Sequence, residues 1–385
     1  MHIALVTETW PPQVNGVANT VHALARGLAQ RQHRVEVIRP GRDGRDAGVR
    51  IRIVGTHGAR LPGHIQVQFG LPSGPKLRAR WRGNPPDAVY IATEGPLGWS
   101  ALRAANALGI PVASGFHTRF DEYTSHYGLG WLKRFVRTQM LRFHRRAQAT
   151  IVPTRALAHE LRDAGVTGAV RIARGVDAEL FSPQRRDEAL RARWQARHDA
   201  PVALYVGRMA QEKNIRLAIQ ALRALQARRP DARMVLVGDG PERKRLAVEH
   251  PDLIFTGELH GKELARHYAS ADLFLFPSVT ETFGNVVLEA MASALPVVAF
   301  DHAAAQEHIA NGISGLIVPC GDARGFIASA YALGLDGDVR AALAFNARVT
   351  AQRLTQEAAL AEFESLLTRL SREQTLGRLL AAAHA

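Results

Sequence analysis

The chain has 385 residues, 46% hydrophobic and 22% charged, a balance that excludes disordered and fibrous classes and supplies apolar material for two cores. Its net charge of +14 is unevenly carried: residues 1–180 hold 25 Lys and Arg against 12 Asp and Glu, a balance of +13, and residues 181–385 hold 24 against 23, a balance of +1. The single Cys320 excludes an internal disulfide and a cysteine-built zinc site, and no run approaches the roughly 20 apolar residues that cross a bilayer.

The opening MHIALVTETWPP lacks the basic lead and long apolar core of a secretory signal and reads as a first strand. In the first half HIALVTE, RVEVIRP, AVYIAT, IPVASGF, TIVPT and VRIAR are apolar runs of strand length. VANTVHALARGLAQ, WSALRAANALG, WLKRFVRTQMLRFHRRA and ALAHELRDAG read as the helices between them. The alternation predicts parallel strands joined by right-handed crossovers. VALYVGR, RMVLVGDG, LIFTGEL, DLFLFPS, LPVVAF and GLIVP repeat the pattern in the second half. The fold expected is α/β, with one doubly wound domain over 1–180, a second over 181–351, a cleft between their sheets, and a helical segment over 352–385. The charged stretch Phe181 to Pro201, with the helical piece RDEALRARWQARH, reads as the linker.

The excess of positive charge in the first half points to an anionic partner. No zinc-finger or RNA-binding pattern is present, so nucleic acid is not expected and an anionic membrane surface is the better candidate. The segment WLKRFVRTQMLRFHRRAQ sets Trp131, Leu132, Phe135, Val136 and Met140 against Lys133, Arg134, Arg137, Arg142, Arg145 and Arg146. Such a helix suits a membrane surface, and suits equally well ordinary packing with a solvated basic edge. The sixteen histidines show no metal-ligand spacing, so no metal is expected.

Chemistry concentrates in a few loops. After the first strand, PPQVNGVANT brings Asn15 and Gly16 to a helix start, where glycine lets backbone approach a phosphate or sugar; an ordinary turn is the alternative. GFHTRFDEY places His117 at a strand end, followed by Asp121, Glu122 and Tyr123. YVGRMAQEKN carries Arg208 and Lys213, two cations able to stabilise negative charge on a departing diphosphate. VGDGPER sets Gly238 and Gly240 about Asp239, small residues that admit a ligand. TETFGNVVLE follows the strand-like ADLFLFPS, so Glu281 falls at the carboxyl end of a strand, where open α/β sheets bind ligands. The N–H groups of Gly284, Asn285 and Val286 form a helix N-terminus suited to a diphosphate, and Glu289, one turn on, can accept from a ribose diol. The plainer reading makes Glu281 and Glu289 two solvated helix-end carboxylates.

Taken together and in order, these blocks with ARGVDAELFSP and EAMASALPVVA resemble the retaining glycosyltransferases of family 4, whose GT-B fold faces two Rossmann domains and returns the last helix to the first. The resemblance implies that Arg208 and Lys213 grip the diphosphate without a metal ion, that Glu281 holds sugar hydroxyls and Glu289 the ribose, and that His117 meets the transferred sugar. It also implies that the loop of Asn15 and Gly16 contacts the donor, that the loop of Phe283 and Gly284 lines its site, and that backbone near Leu259 pairs with the nucleobase. No cofactor is implied beyond the nucleotide-sugar substrate, and the acceptor is a lipid or glycan hydroxyl. The blocks ARGVDAELF and GFHTRFDEY look most like GDP-mannose-dependent α-mannosyltransferases and their sulfoquinovosyl-transferring relatives. Ala294, Ala303 and Ala304 depart from it, standing where family members carry glycine. UDP-sugar donors, a sugar-nucleotide epimerase, a phosphorylase and a catalytically idle basic binding protein are the rival readings. A donor site that excludes water implies domain closure.

Overall fold

The structure, a computed structural model, describes all residues except 12, 14, 47–49, 62–63, 120–132 and 384–385. The chain forms two compact units, Met1–Ala173 with Glu357–Ala385, and Arg174–Gln356.

In the first unit the strands are β1 His2–Val6, β2 Arg34–Pro40, β3 Gly44–Arg45, β4 Ile51–Thr56, β5 Gly58–Leu61, β6 His64–Gly70, β7 Ala88–Ile91, β8 Val112–Gly115, β9 Ala149–Val152 and β10 Ala169–Arg171. Eight of them form one sheet in the order β10-β9-β8-β7-β1-β2-β4-β3, parallel except for the β3–β4 pair, while β5 and β6 make a separate antiparallel hairpin. Ile3, Ala4, Leu5 and Val6 are all fully buried, as a strand covered on both faces requires. Strand order reverses at β1, between β2 and β7, and the loops leaving β1 and β7 therefore diverge at a crevice.

The helix Gln356–Ala383 belongs to this unit: Phe363, Leu366, Leu367 and Leu370 enter the core of Ile3, Leu5 and Val21. Its Glu364 pairs with Arg31 and, at 2.6 Å, with His33.

The second unit is one parallel sheet of β11 Val202–Val206, β12 Arg233–Val237, β13 Ile254–Gly257, β14 Leu273–Phe276, β15 Val297–Phe300 and β16 Leu316–Val318. Its order, β13-β12-β11-β14-β15-β16, is that of a Rossmann sheet, with the switch point between β11 and β14.

The units divide at Ala173/Arg174 and at Gln356/Glu357, within a few residues of the bounds 180/181 and 351/352 that the sequence suggests. The stretch 181–201 is no spacer. Phe181, Leu190 and Trp194 lie in the second unit's core, and the helix there spans only Glu188–Arg193. Arg191, 1% exposed, donates to Asp272 and to the carbonyls of Ser270 and Ala200, each at 2.8 Å. A buried arginine, hydrogen-bonded through both terminal nitrogens, thus carries part of the charge that in sequence resembles a solvated linker.

Candidate active site

The second unit's switch point gathers the main sequence candidates. The loop leaving β11 carries Arg208 and Lys213, and the loop leaving β14 carries Glu281. Lys213 Nζ lies 2.5 Å from Glu281 Oε1 and 3.0 Å from the Thr280 carbonyl. Ser278 Oγ donates to the same carboxylate at 2.9 Å, and His302 Nε2 lies 3.1 Å from the Glu281 carbonyl. Both charged side chains keep a small opening to solvent, 11% for Lys213 and 16% for Glu281, so a ligand can reach them.

Arg208 is more open, at 43%, with Nη1 3.7 Å from Glu212 Oε1. Its carbonyl accepts from the Tyr205 hydroxyl at 3.1 Å. Burial, then Glu281 and Glu212, pushes that phenol well above its ordinary pKa, so it remains a donor.

The helix Asn285–Ala292 starts beside this pair. Its cap, Gly284, has φ +89° and ψ 68° and provides no side-chain hydrogen bond. Glycine suits both this left-handed conformation and the close approach to Phe276, whose ring a Cβ would meet at 3.3 Å. In the first unit the corresponding helix starts are supplied from within: Asn15 accepts from Ala18 N at 2.8 Å, and Glu8, after β1, accepts from Leu97 N at 3.2 Å in the helix Pro96–Ala107. Burial raises the Glu8 carboxyl to about 7, against the pull of the Leu97 and Gly70 amides. Of these three ends, the one at Gly284 is open to an external anion.

Other candidates divide into those at this edge and those with another task. Asn285 Oδ1 accepts from Arg174 at 3.2 Å, and the Arg174 guanidinium sits 5.5 Å from the centroid of the Phe283 ring. Phe283 itself is a core residue, so only its backbone can line a donor site. Val286 packs half-buried against the same core.

Glu289 receives the Tyr268 hydroxyl at 3.0 Å. The residue is half-buried, and burial of its carboxyl lifts it to about 7 while the Tyr268 bond opposes the rise.

Gly238 has φ +130°, and a Cβ there would lie 2.0 Å from the Gly207 carbonyl, so it lets two loop backbones cross. The Asp239 carbonyl accepts from Met209 N at 2.8 Å, and its carboxylate pairs with Arg243 at 3.2 Å. Leu259 lies partly buried between β13 and the helix Gly261–Ser270.

In the first unit, Gly16 is exposed at its helix start, and His117 follows β8 with Nε2 2.6 Å from the Tyr90 hydroxyl. Asp121, Glu122, Tyr123, Trp131 and Leu132 lie outside the described residues. The basic segment forms the helix Lys133–His144, which buries Met140, Phe143 and His144 and leaves Phe135 61% exposed. Ala294 and Ala303 hold left-handed φ values of +53° and +52°, the physical reason glycine suits both positions.

Sequence reasoning missed Ser278, His302 and Tyr268. Each acts on Glu281 or Glu289, and His302 and Tyr268 reach across 21 residues, a relation no local pattern carries.

The profile of Glycosyltransferase Family 4 matches residues 14–180, and that of Glycosyl transferases group 1 matches residues 200–336. A GDP-mannose-dependent alpha-mannosyltransferase of Mycobacterium tuberculosis (strain CDC 1551 / Oshkosh) is 37% identical, over 84% of this chain and 85% of its own. The chain belongs to glycosyltransferase family 4. A further relative of this glycosyltransferase is the sulfoquinovosyl transferase of Arabidopsis thaliana, 32% identical over 77% of this chain and 59% of its own.

Among solved structures the glycosyltransferase is similar to sucrose-phosphate synthase from Thermosynechococcus elongatus, with a TM-score of 0.77 at 21% identity, covering 96% of this chain and 98% of that one. An Anabaena protein in complex with UDP-glucose aligns with a TM-score of 0.74 at 19% identity, covering 96% of this chain and 100% of that one. Those likenesses establish the fold, which is GT-B.

Proposed function

We propose that this glycosyltransferase moves mannose from GDP-mannose to a hydroxyl of a lipid-linked or glycan acceptor, with retention at the anomeric carbon and without a metal ion. The observation that carries the reading is the Lys213–Glu281 contact beside the uncapped start of the helix Asn285–Ala292. It sets a cation and free amides next to a carboxylate able to hold sugar hydroxyls. The sugar and base come from relatives named GDP-mannose-dependent alpha-mannosyltransferases, 36% to 37% identical to this chain.

In this reading Arg208, Lys213 and the helix amides take up the charge that grows on the diphosphate as the bond to the anomeric carbon breaks. Glu281 holds the sugar, Glu289 the ribose, backbone near Leu259 the base, and His117 shapes the transition state. The acceptor oxygen bonds to the face that the phosphate leaves. Its proton passes to the departing phosphate oxygen, so no protein nucleophile is consumed. The basic first unit, with Phe135 outward on the helix Lys133–His144, rests peripherally on an anionic membrane from the cytoplasmic side. No helix among the described residues is long and apolar enough to cross a membrane.

Product analysis tests the reading. GDP-mannose with a lipid or glycan acceptor should give GDP and an α-mannoside in equal amounts, and EDTA should leave the rate unchanged. Sugar released without an acceptor, an inverted product, or a requirement for a divalent ion would each remove one part of it. The relative named a sulfoquinovosyl transferase favours a second reading, transfer of a sulfoquinovosyl-type sugar, for which a UDP-sugar donor is the alternative to test. Thermal shift with GDP-mannose against UDP-glucose separates the two, because the preferred donor raises the unfolding temperature by mass action.

A further inference from the structure

The surroundings of His117 hold a device that the proposed chemistry has not used. Tyr90 lies in β7, where it pairs with Ala113 of β8, and its hydroxyl reaches His117 Nε2 at 2.6 Å. The two rings meet at 83° with centroids 6.3 Å apart. Tyr90 is buried, and its ring meets Phe363 of the helix Gln356–Ala383 at 88°, 4.9 Å between centroids, so the phenol has little freedom to turn.

Gly115 lies under the contact. A Cβ there would stand 2.3 Å from Tyr90 Oη and 2.5 Å from His117 Nε2. Backbone conformation does not demand glycine at this position; the space taken by the pair does.

We propose that Tyr90 is a positioning residue for His117: its hydroxyl donates to Nε2, fixing the imidazole's direction and its neutral form with the proton on Nδ1, in space kept clear by Gly115. The proposal rests on the reading of His117 as the residue that meets the transferred sugar. At neutral pH a phenol carries its proton, and a hydrogen bond donated to a ring nitrogen favours the neutral ring. An imidazolium in its place would oppose the positive charge that develops on the sugar ring as the glycosidic bond to phosphate loosens. Tyr90 therefore matters to the proton state of His117 as well as to its packing.

The test uses the full chain and three variants, Tyr90→Phe, Gly115→Ala and His117→Ala. Tyr90→Phe keeps the ring against Phe363 and removes only the hydroxyl. Rates are taken as GDP release from GDP-mannose with the acceptor found by product analysis, and histidine-labelled protein is read by ¹⁵N NMR, with the His117 signal assigned by its loss in His117→Ala. The expected result is a Tyr90→Phe kcat lower by about tenfold with KM for the donor nearly unchanged, and a His117 signal that moves from the Nδ1-protonated pattern to a mixture. Gly115→Ala should show the same NMR change and at least as large a loss of rate. A Tyr90→Phe enzyme with unaltered kcat and an unaltered His117 signal, while His117→Ala is slow, overturns the role of Tyr90 alone. A His117→Ala enzyme with full rate overturns the reading of His117 and the proposal with it. A wild-type chain that never releases GDP from GDP-mannose fails the donor assignment, and the NMR arm still decides whether Tyr90 sets the ring's proton.

Discussion

Lys213 spans the mouth of the second unit's switch point, with Nζ 2.5 Å from Glu281 Oε1 and 3.0 Å from the Thr280 carbonyl. One cation from the loop after β11 is thus held against the loop after β14, next to the open end of the helix Asn285–Ala292. Lys213→Ala should lower kcat by about 10²- to 10³-fold, the scale of losing one fixed electrostatic donor, while the thermal transition persists. Glu281→Gln should also slow turnover. Combining the two should cost less than the product of the single effects, because the side chains act as a pair. Initial rates and unfolding curves on the three variants decide it, and an undiminished Lys213→Ala rate would remove the cation from the mechanism.

Glu289 should give donor binding a dependence on pH. Its carboxyl is raised to about 7 by burial, so the folded protein holds the proton through mildly acidic pH. Only the ionised form accepts from both hydroxyls of a ribose. Affinity for GDP should therefore rise from pH 6 towards pH 8, by up to about tenfold per unit below the folded pKa, and level off above it. Calorimetry on Glu289→Gln should show a flat profile with weaker binding at pH 8. An equal slope in the variant assigns the titration to another group.

His144 should make the first unit sensitive to acid. It is buried with Nδ1 2.9 Å from Ser114 Oγ, and burial depresses its pKa from 6.5 to about 3. Because the folded value lies below the unfolded one, the neutral ring's contribution is complete above pH 6.5 and is lost as pH falls from there towards 3. Between pH 6.5 and 5 this group alone should remove about 2 kcal/mol of stability. Denaturant titrations of the wild type and His144→Gln at both pH values check this. The variant, less stable at pH 7, should lose less on acidification.

Ala294 follows the helix Asn285–Ala292 with φ +53°, a conformation in which its Cβ is strained. Ala294→Gly should raise stability by about 0.5–1 kcal/mol, the relief of strain outweighing the added freedom of the unfolded chain. The same exchange inside the helix, Ala290→Gly, should lower it by about 1 kcal/mol or more. Equal signs for the two variants in urea unfolding would contradict the backbone account.

Much of the candidate site was legible because its residues lie in short loops directly after apolar runs. The sequence of β11 followed by GRMAQEKN, and of β14 followed by PSVTETFGN, places Arg208, Lys213 and Glu281 at strand ends without reference to any other part of the chain. The uses of individual residues were less legible. Phe283 reads as part of a ligand loop, yet its side chain is core; Gly238 reads as room for a ligand, yet it clears the Gly207 carbonyl. Asn15 reads as a donor contact, and its side chain caps its own helix.

The alternation of strand-length apolar runs with helical spacing determined the α/β class and the two sheets, since burying apolar surface on both faces of a parallel strand is a local requirement of the sequence. Tertiary structure alone decided that residues 181–201 pack into the second unit, that Arg191 is buried, and that His302 and Tyr268 reach Glu281 and Glu289. These outcomes depend on which distant groups arrive to satisfy a charge or a hydrogen bond. The cost of an unpaired buried polar group is settled only when the chain has closed around it.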